Sequence, residues 1–558
     1  MRAAGRVLYW WAILSAAALA AASAPPQALT DALMLLRNGK PNEAATVLQA
    51  AIRQNPGSAQ EWRTLGAAYR QLKKPQDALA AYRKSLEIEP ASPQALYATG
   101  LLYASIGEKD KAFGWLERAR ASGKIDMSQL TQDVEAKDLR ADSRYRRLLP
   151  QPDQFRHPFV EPVTVLREWR GEAANDQFGW IARDIGDVDG DGVDDMVTSA
   201  PTHAGGRIYV YSVGKNRLLW TADGEAGDEL GTGLEAAGDT NHDGIPDVIA
   251  GGPSGRGVVR IYSGRDGRVL RTFHSPNSNE LFGNHCSGAG DVNGDGYADV
   301  IVGSPGRPGE SKSPGHAYVY SGKDGSLLST FQGERAGDQF GSTVAGYSKG
   351  TDKILLVGAA TAGRAQHGRT YAYYGLTRAP RFVFDADATG VALGAMFVGI
   401  PGDFDGDGRP DLYVSDWQNN ARGFSTGRIY VYSGATGKPL LSLTGETMQD
   451  GFGTSASKAG KVDNDDRADL IVGAWQYAGA AVGGGRTYLY SGGNGKLLRT
   501  FTDRVPGDTL GFDAVGLGDI DGDGSVDLLI TAAWSAVNGY HSGRVFVISS
   551  GEKRPRQK

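Results

Sequence analysis

From Phe178 to Ser212 the chain reads FGWIARDIGDVDGDGVDDMVTSAPTHAGGRIYVYS. Three signals follow one another in this stretch. The loop Asp187–Asp195 places oxygen side chains at its first, third, fifth and ninth positions. Gly192 stands at the sixth, where a sharp turn needs positive φ. MVTSA is a short apolar run of strand length. RIYVYS then alternates with the period of two expected for a strand.

The same order recurs along residues 163–551. Each unit opens on a Phe-Gly or Leu-Gly pair: Phe178-Gly179, Leu230-Gly231, Phe282-Gly283, Phe340-Gly341, Leu393-Gly394, Phe452-Gly453 and Leu510-Gly511. The spacing is roughly 55 residues, which suits a four-stranded propeller blade, and seven units imply seven blades. These units resemble the FG-GAP repeats of the integrin α-subunit propeller. The segments SAP (199–201), GGP (251–253) and GSP (303–305) match the second half of that motif. The last tyrosine-type strand, GRVFVISS from Gly543, has no partner after it, whereas VTVLREWRGE before the first unit has the character of an outer strand. Residues 163–169 are therefore predicted to close the final blade.

The aspartate-rich loops carry the chemistry. The pattern D-x-[DN]-x-[DN]-G-x-x-D gathers oxygen ligands for a hard cation such as Ca2+, with the seventh backbone carbonyl available and the ninth carboxylate closing the shell in bidentate fashion. Five units keep the full set: Asp187/Asp189/Asp191/Asp195, Asp239/Asn241/Asp243/Asp247, Asp291/Asn293/Asp295/Asp299, Asp403/Asp405/Asp407/Asp411 and Asp519/Asp521/Asp523/Asp527. About five structural calcium ions follow, since carboxylates packed together without a cation repel. The fourth unit, AGYSKGTDKILLVG, loses its ligands. In the sixth, Lys461 takes the first position and Asp466 the glycine position, while Asp463, Asp465 and Asp469 remain. The Lys461 ammonium is expected to pair with those carboxylates in place of the ion.

Ahead of these units lie three segments of 34 residues, 25–58, 59–92 and 93–126. Trp62, Leu65, Gly66, Tyr69, Ala78, Tyr82 and Pro90 of the middle segment resemble the tetratricopeptide-repeat consensus. Small residues such as Gly66 and Ala78 let paired helices approach. Residues 127–150 are expected to form a capping helix, 151–162 a proline-rich linker, and 552–558 a basic tail. The fold class is thus multidomain: an α-helical repeat domain followed by an all-β seven-bladed propeller.

Composition narrows the function. A net charge of −5 gives no reason to expect a nucleic-acid partner. The single cysteine, Cys286, excludes an internal disulfide framework. Residues 1–22, with Arg2 and Arg6 ahead of an apolar run, read as a cleaved export signal, with an uncleaved signal anchor as the alternative; cleavage implies a secreted, periplasmic or cell-surface protein with no membrane span in the mature chain. No catalytic constellation stands out; the histidines are scattered, and His203, His242 and His285 suit structural or solvent-exposed positions. Trp417, Trp475 and Trp534 occupy the loops leaving the apolar strands of units five to seven. They form either an aromatic ligand platform or packing between blades. The expected function is that of an exported interaction, adhesion or scaffold module, with protein or glycan bound on the propeller face and a second protein docked on the helical repeats. The alternative is a carbohydrate-binding propeller, as a lectin or a lyase-like enzyme.

Overall fold

The computed structural model describes residues 27–277, 280–309, 311–463 and 465–553. The export signal read over residues 1–22 lies outside them. Six helices pair into three hairpins: α1 (Gln27–Arg37) with α2 (Pro41–Gln54), α3 (Ala59–Gln71) with α4 (Pro75–Ile88), and α5 (Pro93–Ser105) with α6 (Lys109–Ala121). Proline opens α2, α4 and α5, where a missing N–H costs nothing. Gly66 lies against the Tyr82 ring so closely that a β-carbon there would sit 2.8 Å from it. No described helix is long and apolar enough to cross a membrane.

After α6 the structure departs from the expected capping helix. Residues 127–148 form two 3-10 turns, Met127–Thr131 and Val134–Leu139, and one short turn of helix, Tyr145–Leu148. They still cover the open apolar side of the repeats: Leu130, Ala136, Leu139 and Leu148 are buried against α5 and α6. The Arg70 guanidinium of α3 donates to Glu135 at 2.9 Å and the Tyr97 hydroxyl of α5 donates to Asp133 at 2.5 Å. Helix α5 is consequently buried along nearly its whole length.

Seven four-stranded antiparallel sheets follow. In the first blade the strands run Ala182–Gly186, Asp195–Ala200, Arg207–Ser212 and Arg217–Asp223 from the axis outward. The second strand is buried at every position because both faces of the sheet are covered by neighbouring blades. This explains why it reads as a continuous apolar run. The seventh blade takes its outer strand from Val165–Arg170, which pairs with Arg544–Lys553, with Glu168 opposite Phe546. In the fourth blade the aspartate loop is replaced by a tight hairpin, with Lys349 opposite Asp352.

The Phe-Gly pairs sit where one blade meets the next. Phe178 is buried and meets the Tyr209 ring edge-on at 5.2 Å. Gly341 has φ +89°, and a β-carbon would fall 2.1 Å from the His316 carbonyl oxygen, so only glycine fits.

The proline-rich segment between the domains is strapped to the propeller. Val160 donates its N–H to the Thr502 carbonyl at 2.8 Å and Arg504 donates to the Pro158 carbonyl at 2.7 Å, which adds a short edge to the sixth blade. Phe159 is buried against Phe546, ring centroids 5.3 Å apart. The helical domain rests on the loops opposite the aspartate loops. Phe424 and Met448 of the fifth and sixth units pack with Leu29, Leu33 and Leu48, and the Val482 N–H donates to the Lys124 carbonyl at 3.0 Å.

Candidate metal loops and upper face

Each aspartate loop is a turn wound around its first carboxylate. Asp187 accepts N–H groups from Gly190, Asp191 and Gly192 at 2.7, 3.1 and 2.8 Å. Asp519 does the same for Gly522, Asp523 and Gly524, and Asp291 for Gly294, Asp295 and Gly296. Gly192 has φ +87°, as the sixth position requires. The ninth residue, first of the second strand in most blades, is buried in every such loop. Asp195 accepts from Val188 and Val213 at 3.0 and 3.1 Å. Both of its oxygens thus serve backbone amides, which still leaves carboxylate lone pairs that a cation could use.

Burial pushes the carboxyls of Asp195, Asp299 and Asp411 up to about 6, and that of Asp527 to about 7, with neighbouring aspartates adding to the effect at Asp195 and Asp527. Ionisable oxygens packed this closely call for a counter-charge. In three complete loops, carboxylate oxygens of Asp187/Asp189/Asp195, Asp403/Asp405/Asp411 and Asp519/Asp521/Asp527 lie within 4.8 Å of one another. Asp527 Oδ1 is buried and accepts no hydrogen bond. An all-oxygen set of this size, with an orphaned buried oxygen, fits a hard divalent cation.

The fifth position departs from the expected four-residue set. Asp407 does not join the close group of Asp403, Asp405 and Asp411, and Asp191 and Asp523 likewise stand outside the groups of their loops. Each fifth-position carboxylate accepts the backbone N–H two residues further on, which steadies the turn, as third-position Asp405 and Asp521 also do: Asp407 accepts from Arg409 at 2.9 Å, Asp191 from Val193 at 2.9 Å and Asp523 from Ser525 at 2.7 Å. The second and third loops form no close carboxylate triad at all among the described residues. Asn241 and Asn293 replace the third carboxylate there. Asp243 accepts from Ile245 at 3.0 Å, and its other oxygen lies 3.8 Å from the Arg265 guanidinium, drawn to a cation outside the loop. Asp295 accepts from Tyr297 at 3.0 Å and from the Asn293 amide at 3.1 Å. Asp239, Asp247, Asp291 and Asp299 hold the same amides as their counterparts. In the first, fifth and seventh loops the first, third and ninth positions are the ones whose carboxylates the fold brings together.

The sixth loop corrects another expectation. Asp463, Asp465 and Asp469 cluster as tightly as in the complete loops. Lys461 does not enter the cluster; its ammonium pairs with Asp466 at 3.7 Å, and both side chains are exposed. Asp466 adopts φ +61° in the glycine position. A cation that the sequence reading missed lies instead in the first loop. The Lys215 ammonium, from the turn before the outer strand, stands 2.8 Å from Asp189 and 3.6 Å from Asp191. Nothing in the repeat pattern marks Lys215, because the turn carrying it meets the loop only after the sheet has formed.

On the opposite face, Trp417, Trp475 and Trp534 do converge. Ring centroids are 6.3 Å apart for Trp417–Trp475 and 4.8 Å for Trp475–Trp534. They do not make an open platform. Trp475 is 0% exposed and packs on Phe512, and Trp180 and Met396 fill in around it. The packing alternative therefore holds for Trp475. Trp534 stacks on His541, which stacks on Tyr540, at 4.7 and 3.6 Å. His285 is enclosed near the axis, where burial and then Arg183 hold its imidazole neutral, down at about 3. His203 bonds Asp176 at 3.0 Å. His242 is exposed within its loop.

A second recurrent feature escaped the sequence reading. The residue opening the third strand reaches an acid in the loop entering its own blade. Arg207 lies 3.3 Å from Glu172, Arg369 2.8 Å from Glu334 and Arg486 2.8 Å from Glu446. In the seventh blade the corresponding Arg544 is fully buried, pairs with Asp508, and donates to the Phe155 carbonyl at 3.1 Å.

Comparison with known proteins agrees with this architecture. The tetratricopeptide-repeat family matches residues 29–93 and 74–124. The FG-GAP repeat matches residues 287–320 and the FG-GAP-like repeat residues 239–302. Mouse integrin alpha-2 is 32% identical over 170 residues, covering 26% of this chain and 14% of that protein. Integrin alpha-PS3 of Drosophila melanogaster is 33% identical over 159 residues, covering 25% of this chain and 14% of its own length. Integrin alpha-4 of Xenopus laevis is 29% identical over 255 residues, covering 42% and 24%. The chain therefore spans only a small part of these relatives. Among solved structures, BBS1N in complex with ARL6DN aligns with a TM-score of 0.44 at 11% identity, over 71% of this chain and 98% of that one. The chain thus carries tetratricopeptide repeats followed by FG-GAP repeats closed into a seven-bladed β-propeller, with integrin alpha subunits among its relatives.

Proposed function

We propose that this is an exported, calcium-stabilised interaction module that binds a protein partner through its propeller. The observation that carries the reading is the set of aspartate loops recurring at one position of successive blades, four of them with carboxylate oxygens within 4.8 Å. Calcium held there would brace the loops at one end of the propeller. The part of the opposite end that the helical domain leaves uncovered would then serve recognition, as the similarity to integrin alpha subunits suggests. Asp187, Asp189, Asp191 and Asp195 and their four complete counterparts would supply the ligands. The fifth-position carboxylates, Asp407 among them, would complete the shell with the oxygen that does not hold the turn, and Asp243 would have to leave Arg265 to do so. The Asp463/Asp465/Asp469 loop is a weaker candidate because its first position holds Lys461. Export follows the reading of residues 1–22 and places the chain where calcium is plentiful.

The helical repeats are a less open docking surface than their sequence suggests, since residues 127–148 already cover α5. The carbohydrate alternative loses its best support with Trp475 buried. A pull-down from the envelope fraction, with calcium and with chelator, tests the reading. A defined protein retained only with calcium, and lost when Asp403 and Asp519 are changed to alanine, is the expected result. Retention of a glycan with detectable cleavage would overturn it.

A further inference from the structure

The surface between the two domains contains a group that neither the repeats nor the metal loops require. Asp126, between α6 and the first 3-10 turn, is only 8% exposed. Its two oxygens accept the N–H and the hydroxyl of Ser128, both at 2.8 Å. It is pressed onto the loop joining the sixth and seventh blades: a β-carbon at Gly507 would lie 2.7 Å from the Asp126 β-carbon. Two residues earlier, Lys124 accepts the Val482 N–H across the same boundary. Beside this contact a crevice of about 200 Å³ runs between Ser128, Thr131 and Phe155 on one side and Val537 and Tyr540 on the other. The junction is therefore closed but not tightly filled.

We propose that the helical domain is a proton-dependent cover over the sixth and seventh blades, closing when Asp126 is protonated and loosening when it ionises. The Tyr540–His541–Trp534 stack, whose outer member lines the crevice, is what the cover protects.

The electrostatics of the junction support this. From the propeller, Asp126 faces Asp508, with Asp503 and Arg544 behind it and Tyr540 to the side. From its own domain it faces Asp133, Tyr97 of α5 and Arg120 of α6. The Arg544 guanidinium is already engaged by Asp508, and among the described residues no ion pair joins Arg120 to Asp126. Burial raises its carboxyl to about 6, against the Ser128 bonds that lower it, and Asp508 adds to the rise. Released into water, the group returns toward 3.8. A carboxyl raised in the closed state favours closure at low pH, and that advantage is lost as pH climbs toward 6. Between pH 5 and pH 7 the closing equilibrium should weaken about tenfold on these two values.

Hydrogen exchange on the full chain with calcium present tests the proposal. The amide to follow is Val482, whose protection reports opening of the junction even when the open form is rare. The Val210 amide, deep in the first blade, reports global unfolding. The expected result is an approximately tenfold lower protection factor at Val482 in pH 7 than in pH 5 buffer, with Val210 unchanged. Asp126→Asn keeps an acceptor for Ser128 and should hold the Val482 value flat. If that variant loses protection at Val210, Asp126→Ser takes its place. Equal Val482 protection at the two pH values in the parent chain, or an undiminished pH effect in the variant, would overturn the proposal.

Discussion

Replacing Trp475 by alanine separates a packing role from a recognition role. The indole is 0% exposed, lies 4.8 Å from Trp534 and 5.5 Å from Phe512, and is flanked by Trp417 at 6.3 Å. Its neighbours belong to different blades and to the wall of the axis, so they cannot collapse far into the space left. Truncating a fully buried tryptophan costs about 3–5 kcal/mol. The entropy of unfolding is about 2.1 cal/mol/K per residue, so a propeller of roughly 390 residues gains about 0.8 kcal/mol per kelvin near its melting point. The melting temperature should therefore fall by about 4–6 °C. Differential scanning calorimetry in calcium measures this, with Trp417→Ala as the comparison, since that ring is only partly buried and should cost less. A Trp475→Ala protein that melts with the parent but no longer binds its partner would refute the packing argument.

Other outcomes follow from the same geometry. Lys215→Met removes the ammonium beside Asp189 and Asp191 and should tighten calcium at the first loop, as read by competition with a chelating dye; unchanged affinity would mean that the ammonium swings aside freely. Lys461→Asp restores the first ligand of the sixth loop and should raise the calcium stoichiometry by one in calorimetric titration. An unchanged count would show that Asp466, in the glycine position, is the real obstacle. Arg544→Met leaves Asp508 and Asp503 buried without their guanidinium and should cost about 3–5 kcal/mol in chemical denaturation. That loss should be larger at pH 8 than at pH 5, because protonation neutralises the orphaned carboxyls.

Much of the propeller is legible because its determinants are local and repeated. The Phe-Gly or Leu-Gly pairs and the buried second strands recur in seven blades and the complete aspartate loop in five, and the repetition exposes the rule behind each. Closure by residues near Val165 is legible for a related reason, since the repeat leaves one strand missing at one end and one spare at the other. Spacing alone does not tell a ligand from a turn-former, because the same oxygen can do either; Asp243 and Asp407 hold backbone amides where the pattern reads as coordination. Contact between segments far apart is harder still to read. The tryptophans of units five to seven stand in loops, where an aromatic reads as equally suited to a surface or an interior; only the convergence of three blades at the axis buries Trp475. The proline-rich segment reads as a linker, but Phe155 and Phe159 find pockets beside Arg544 and Phe546 that lie nearly 400 residues further along the chain. Lys461 opposite three aspartates reads as an ion substitute, and in the structure it pairs with Asp466 at the exposed tip of the loop instead.

Calcium bound in the aspartate loops should hold the folded propeller together. Isothermal titration of chelator-stripped protein, paired with thermal melting, tests this most directly. Each ion bound only by the folded state adds about 2.7 kcal/mol at a hundredfold excess over its Kd. About five ions bound and a melting temperature that climbs with calcium concentration are expected. Absence of binding heat together with a calcium-independent melting temperature would contradict it.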